Sequence, residues 1–332
     1  MDWLATLLKR LGVILLTIIF SSTITFVIIR LMPGDPVTTM AMDMQRNQGM
    51  ALDEAMRKAK AMLNFDPDVP ILEQYISFIK GVGRGEFGQS MKYKLSVMQV
   101  TGNALAWTLF ISSTALTIAF ILGSLLGMYC AWRRKTFVDP VLTMYDAIIS
   151  AVPAFVIGFL LIVIFSVNLQ WFPPRGNYDA AYTPGWNWPY VRSVIYHGML
   201  PVFAQVMTTI GFWAMSMKAM AISTLGEDYI TSARARGLKT GRIVWTYVGR
   251  NALLPQITIL AMQFGMLFAG SVLIENLFVY PGVGYFFSNS ITGRDYPLMQ
   301  GIFIVITVAV VLSNQLAEVL YSIIDPRIRE GG

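Results

Sequence analysis

LGVILLTIIFSSTITFVII, Leu11 to Ile29, is a run of nineteen uncharged residues closed by Arg10 on one side and Arg30 on the other. At about 1.5 Å of rise per residue, a helix of that length nearly crosses the ~30 Å hydrocarbon layer of a bilayer. Helix is the element this stretch allows there, because every backbone N–H and C=O in hydrocarbon must be paired within the segment. Its apolar run is longer than the h-region of a cleaved leader, and no clear small-residue cleavage site stands before Arg30, so it reads as a retained helix.

Working outward, five further stretches have the same character. They lie within Leu95–Trp132 (Thr108 to Trp132 for the crossing part), Ala147–Pro174, Ser193–Met217, Asn251–Ile274 and Tyr296–Ala317. The expected architecture is therefore all-α and integral to the membrane, with six transmembrane helices. Composition agrees: of 332 residues 55% are hydrophobic and 13% charged, about half the charged share of a soluble protein. A soluble fold would have too few charges left to coat its core.

Lys and Arg outnumber Asp and Glu by 25 to 19. The basic residues sit in short runs between apolar stretches rather than on one polar face, which indicates membrane orientation and no nucleic acid. Lys9 and Arg10, then Arg133, Arg134 and Lys135, then Lys218, Arg234, Arg236, Lys239, Arg242 and Arg250, and finally Arg327 and Arg329, fall on one side of a six-span chain. Both termini are expected in the cytoplasm. The segment from Leu31 to Val100, the Arg175–Arg192 loop and the Glu275–Asp295 loop are expected outside.

The long outer segment carries eight basic and eight acidic residues. It also holds two helical stripes, Leu52, Ala55, Met56, Ala59, Met62 and Leu63, then Ile71, Leu72, Tyr75, Ile76 and Ile79, the second with Pro70 near its first turn. Met40, Met42, Met44, Met50, Met56 and Met62 raise a soft-metal reading, but no His or Cys joins them and packing is the simpler one. Cys130 and His197 are the single residues of their types. They build no disulfide framework or metal cluster in one chain, and read as a packing cysteine and a hydrogen-bonded histidine.

The segment GEDYITSARARGLKTGRIVWTYVGRNALLP, Gly226 to Pro255, is too polar to span and faces the cytoplasm in this topology. Ile230, Ala233, Gly237 and Leu238 make one apolar helical face, and Ile243, Val244, Tyr247 and Val248 another. Gly237 and Gly241 separate them, so the expectation is a short helix, a turn and a second helix. Periodicity alone leaves two readings open: a helix lying on anionic lipid, or one docked on a partner.

This segment resembles the EAA loop of bacterial ABC-importer permeases. Thr231, Ser232 and Ala233 stand at the Glu-Ala-Ala positions, Gly237 at the loop glycine, and Leu254 and Pro255 at the terminal Leu-Pro. The missing acidic residue and the longer Gly-to-Pro interval are similar to the dipeptide, oligopeptide and nickel branch. So are RLMPGDPV (Arg30–Val37), GRGEFGQS (Gly83–Ser90), SAVPAFVIG (Ser150–Gly158), ENLFVYPGVGYFF (Glu275–Phe287), RDYPLMQG (Arg294–Gly301) and DPRIR (Asp325–Arg329). These motifs, in order over almost the whole chain, resemble the first permease subunit of that branch.

The resemblance implies a single transmembrane domain over 1–332. Its parts would be a first transmembrane helix at 1–31, an extracytoplasmic segment at 32–100, and a five-helix permease core at 101–332 with a coupling loop at 226–250. It implies a place in a bacterial or archaeal plasma membrane, beside a homologous second permease, two ABC ATPase subunits and an extracytoplasmic binding protein. Thr231, Ser232, Ala233, Arg234, Arg236, Gly237, Leu254 and Pro255 would form the loop that docks on an ATPase. ATP and Mg would be bound by the partner subunits, with no catalytic, cofactor or metal site in this chain. The absence of a GxxxxGK[ST] sequence agrees with an energy source on another subunit. Gly237 is expected to allow close approach of backbones, and Pro255 to set a bend where the fifth span begins.

Other classes fit less well. An intramembrane protease needs a Ser–His pair, two aspartates or HExxH in its spans; there is no HExxH, and Asp146 has no second intramembrane aspartate. A secondary transporter places ionisable residues at mid-membrane, where these spans are nearly bare. For the solute, the resemblance puts di- and oligopeptides first and oligosaccharides second, with nickel last for want of ligands. The outer loop WFPPRGNYDAAYTPGWNWPYVRSVIYHG (Trp171–Gly198) is rich in aromatics, read as interfacial belt residues or as a stacking surface.

Overall fold

A computed structural model describes residues 2–31, 36–63, 69–133 and 136–324. Arg134, Lys135, Arg327 and Arg329, positions 32–35 of RLMPGDPV and the DPRIR motif lie outside the described residues. The described residues are helical, with an isolated antiparallel bridge between Gln89 and Ser96. Five helices are long and apolar enough to cross a membrane, and six segments qualify when one bent pair counts as a single span. This is the all-α membrane architecture expected from the hydropathy pattern.

The chain divides into two compact units, Met1–Thr108 with Pro281–Gln315, and Leu109–Tyr280 with Leu316–Gly332. The first begins with α1 (Asp2–Leu31), followed by α2 (Pro36–Gln48), α3 (Leu52–Leu63) and α4 (Ile71–Arg84). The sequence stripes indicated α3 and α4 but not α2. Val37, Met40, Ala41 and Met44 of α2 are buried against Ala55 and Ala59 of α3, with Met50, Met56 and Met62 packed around them. Five of the six methionines thus serve as adaptable packing, while Met42 is exposed. Phe26 of α1 meets Tyr75 of α4 edge-on at 5.4 Å, and Thr23 shares a 2.7 Å hydrogen bond with the Tyr75 hydroxyl.

The same unit contains the start of α5 (Val97–Trp132), with α12 (Val283–Thr292) and most of α13 (Tyr296–Ile324). Val97, Val100 and Ala104 bury against Val283, Leu298 and Ile302. Asp295 is fully buried just before α13, where its Oδ1 accepts from the Leu298 N–H and its Oδ2 from the Ser90 hydroxyl and the Lys92 N–H. A carboxylate at a helix N-terminus is favoured by the orphan amides and the helix dipole.

In the second unit the rest of α5 packs on α8 (Trp188–Leu225) through glycines. A Cβ on Gly123 would lie 2.6 Å from the Trp213 Cβ, and one on Gly127 would lie 2.2 Å from the Ala214 carbonyl oxygen. The missing side chains let the two backbones touch, the packing that replaces the hydrophobic effect between helices in lipid. Between these helices in sequence come α6 (Val138–Ala151) and α7 (Ala154–Asn168), the latter ending in a π-helical stretch over Ile162–Asn168. The Asp139 carboxylate of α6 pairs with the Lys218 ammonium of α8, and the Tyr145 hydroxyl donates to the Met207 carbonyl at 2.6 Å.

Three expected spans need correction. The third is not one helix within Ala147–Pro174 but the pair α6 and α7, bent by 102°. Pro153 has no N–H and disfavours helix at the residue before it, and Val152 is extended at φ −100°, ψ 126°. The fourth runs from Trp188 to Leu225, longer than Ser193–Met217, with Pro201 inside it. The fifth, α10 (Thr240–Ala269), starts in the polar segment before Asn251, carries a π-helical stretch at Ile243–Val248, and is followed by the short α11 (Val272–Leu277). Pro255 therefore sits inside the fifth helix rather than at its beginning.

Candidate functional site

α8 ends at Leu225, and the extended Glu227 (φ −73°, ψ 147°) turns the chain into α9 (Asp228–Ala235), a helix of 8 residues. Asp228 stands in its first turn and Arg234 in its last, both favourable to the helix dipole. Ile230 and Ala233, a turn apart, are buried with Met128 and Ala131 of α5, Met217 and Ala221 of α8, and Ile243, Val244, Val248 and Ala252 of α10. Burial of Ile230 alone is worth about 2 kcal/mol. The Tyr229 hydroxyl accepts from the Asn251 amide at 3.1 Å, a second tie between α9 and α10. The short helix is therefore fastened along one side to three long helices.

Its end is equally defined. Leu238 N–H donates to the Ala233 carbonyl at 3.3 Å and Gly237 N–H to the Arg234 carbonyl at 2.9 Å, while Gly237 has φ +72°. This is a Schellman closure, with Leu238 packed on the cluster beneath the helix. The expected close backbone approach at Gly237 is absent within the chain: a Cβ there would meet nothing within 4 Å. The glycine is needed for its left-handed conformation, and the space around it is open. Gly241, by contrast, lies within helix and ends nothing.

Of the residues singled out from sequence, Thr231, Ser232, Arg234, Arg236 and Gly237 are exposed on α9 and its turn. Ala233 is instead buried. Leu254 and Pro255 are exposed on α10, and the polar ties between α9 and α10 run through Tyr229 and Asn251 instead. Those two residues carry no sequence signal, because their partnership depends on how two helices meet. Beside α9 is a cavity of about 1000 Å³, lined among others by Trp132, Arg133, Leu225, Arg234, Ile243 and Val244.

Elsewhere, His197 Nδ1 lies 2.8 Å from the Ser193 carbonyl oxygen of its own helix, and Cys130 is buried. Among the described residues no group of three His, Cys, Asp or Glu side chains is placed to hold a metal ion. Tyr280, ahead of the last span, is fully buried, and burial first, then Glu275 and Tyr190, pushes its hydroxyl well above the usual phenol range. In the aromatic loop Tyr178 and Tyr190 pack edge-on at 5.0 Å, while Trp186 and Trp188 are exposed.

A helix fixed on one side and open on the other, between the fourth and fifth spans, is joined by a direct similarity. Residues 123–330 match the family described as binding-protein-dependent transport system inner membrane component. The chain belongs to this family. This ABC-importer permease is 30% identical to the di/tripeptide transport system permease protein DppB of Pseudomonas aeruginosa, over 98% of this chain and 99% of the relative. It is 29% identical to the dipeptide transport system permease protein DppB of Escherichia coli K12, over 97% of this chain and 98% of that one. With the oligopeptide transport system permease protein AppB of Bacillus subtilis it shares 34% identity, over 92% and 93% of the two chains. The permease's resemblance to the peptide branch thus extends over nearly its full length.

Proposed function

We propose that this permease forms half of the translocation pathway of an ATP-driven importer of di- and oligopeptides. A homologous permease completes the pathway, two ATPase subunits supply the energy, and an extracytoplasmic binding protein delivers the solute. The termini and α9 face the cytoplasm, and α9 is the element that follows the ATPases. The observation that carries this reading is the two-sidedness of α9. Ile230 and Ala233 lock it to the ends of three long helices, while Thr231, Ser232, Arg234 and Arg236 are exposed. A movement imposed on its open side is passed to α5, α8 and α10 as a rigid displacement, because packed interiors transmit strain. Peptide names on three relatives favour peptide as the solute.

Exposed Trp186 and Trp188 favour a second reading, oligosaccharide import, since aromatic faces stack on sugar rings. The test is uptake by cells carrying the complete importer, with labelled dipeptides, pentapeptides and xylo-oligosaccharides in parallel. Peptide uptake that depends on the binding protein and on ATP is expected. Sugar uptake alone would replace the solute, and failure of any ATPase subunit to co-purify would overturn the whole assignment.

A further inference from the structure

α6 lies along α8 and keeps two unlike flanks free. Its Asp139 pairs with Lys218, Leu142 is buried beside Ala214, and the Tyr145 hydroxyl reaches the Met207 carbonyl. Those residues mark the seated side. Val141, Met144 and Ile148, at helical spacing, are each more than half exposed and wholly apolar. Thr143, Asp146 and Ser150 repeat the same spacing two positions later, about 200° further around the helix. Thr143 and Ser150 are exposed and Asp146 is partly so. Hydrocarbon suits the first flank and not the second.

The carboxylate also has room made for it. A Cβ on Gly211 of α8 would collide with Asp146 Oδ1, so glycine there lets the acid lie against the α8 backbone. The next residue back, Ile210, has its carbonyl against Gly123 of α5. From Gly123 to the charged end of α5 at Trp132 is about 13 Å of helix, which sets Asp146 well inside the membrane. Among the described residues no cation or N–H donor pairs with it. An unpaired, partly open carboxylate at that depth needs water or a passing cation, and a lipid tail supplies neither.

Building on the reading of this chain as a peptide permease, we propose that the polar flank of α6 lines the translocation pathway. Asp146 is its charged contact for the solute, meeting the N-terminal ammonium or a cationic side chain in passing. One carboxylate open to water gives a small preference rather than a tight site. It favours cationic peptides and opposes anionic ones without holding either.

The test measures uptake into liposomes carrying the complete importer, with saturating binding protein loaded in turn with Lys-Ala, Ala-Ala or Glu-Ala. Asp146→Asn should lower the ratio of Lys-Ala to Glu-Ala uptake about threefold to fivefold, the strength of one water-exposed ion pair. Asp146→Lys should lower it further, and Asp146→Glu should keep it. The binding protein is the same throughout, so a changed ratio belongs to the permease. Equal slowing of all three peptides would make Asp146 structural, and an unchanged ratio would take it out of the pathway; either overturns the proposal. Loss of the second permease from Asp146→Asn preparations would overturn it too, by giving the carboxylate a cation on that subunit. A second measurement needs no peptide. In a Cys130→Ala background, Thr143→Cys and Ser150→Cys should react with a charged methanethiosulfonate about tenfold faster than Met144→Cys and Ile148→Cys, since thiols ionise in water and not in hydrocarbon. Equal rates would remove the flank from the pathway. Failure of the peptide reading looks different: the wild-type importer takes up none of the three peptides, while the difference in thiol reactivity remains.

Discussion

The Ser90 hydroxyl donates to the Asp295 carboxylate at 2.5 Å, joining two loops 205 positions apart in one buried cluster. The same carboxylate caps α13 through Leu298 N–H and takes the Lys92 N–H, so a single side chain fixes the approach to the second span and the start of the sixth. Both residues are fully buried.

Asp295→Ala should therefore destabilise the detergent-solubilised protein by about 2–3 kcal/mol, because buried donors lose a charged acceptor. Ser90→Ala should cost about 1 kcal/mol. The double variant should cost less than the sum, with a coupling of about 1 kcal/mol for residues in direct contact. Thermal unfolding followed by a thiol-reactive dye at Cys130 measures all three, and strict additivity would mean the two side chains act independently.

Gly127 and Gly102 make a matched pair. Both lie in α5, but a Cβ on Gly127 would collide with the Ala214 carbonyl, whereas one on Gly102 would meet nothing within 4 Å. Gly127→Ala should cost about 1–3 kcal/mol, since backbone cannot yield as a side-chain tip can. Gly102→Ala should be neutral or slightly stabilising through helix propensity. Equal melting temperatures for the two variants would show that α5 and α8 are not in this close contact.

What the sequence made legible follows from which forces are local. α9 could be placed because its apolar period and its closing glycine lie within a dozen residues, as did the existence of α3 and α4. The break at Val152–Pro153 is written locally in the proline, but the 102° bend it makes is not, because hydropathy is the same on both sides and carries no direction. The second helix expected around Ile243–Val248 exists, but its continuity with the fifth span is not legible: Arg242 and Arg250 mark the end of hydrocarbon, which is not the end of helix. α2 escaped because its buried side is methionine and alanine within a polar composition, which gives weak contrast. The Ser90–Asp295 cluster and the Arg133–Arg234 cavity arise from helices meeting at long range, which no local pattern reports.

Gly237 separates two possible uses of the turn after α9. Gly237→Asn can adopt the left-handed conformation at small cost, and should keep the helix closure, ATPase binding and transport. Gly237→Trp adds both strain and bulk, about 1–3 kcal/mol against a docked partner, and should abolish peptide uptake while membrane insertion persists. Uptake assays with quantification of co-purified ATPase decide it. Normal transport by the Trp variant would remove α9 from coupling.

Orientation can be read with single cysteines in a Cys130→Ala background. Lys239, Met50, Asp179 and Tyr182 are each placed in loops or at helix ends on the expected topology. An impermeant maleimide on intact cells should label Met50→Cys, Asp179→Cys and Tyr182→Cys, and should reach Lys239→Cys only after lysis. Labelling of Lys239→Cys in intact cells would invert the chain and place α9 where no ATPase can meet it.

The last expectation concerns where solute affinity resides. A pocket that binds a peptide tightly needs several convergent polar partners, because each buried polar group of the ligand left unpaired costs free energy. The spans offer few. Asp139 and Lys218 satisfy each other, Asp295 is committed to Ser90, Lys92 and Leu298, and beyond these the spans hold Asp146, set against Gly211 of α8, and the buried amides of Gln205 and Gln256. A pathway with few charged partners suits passage, since a strongly held solute could not leave it. The complex without its binding protein should accordingly bind dipeptides at about millimolar or weaker, near −4 kcal/mol. ATP hydrolysis should rise chiefly when the loaded binding protein is added, with the free peptide alone having little effect. Calorimetry and a coupled ATPase assay on the reconstituted complex measure the two quantities. Micromolar peptide affinity in the absence of the binding protein would place the specificity site inside the membrane and require polar partners contributed by the second permease.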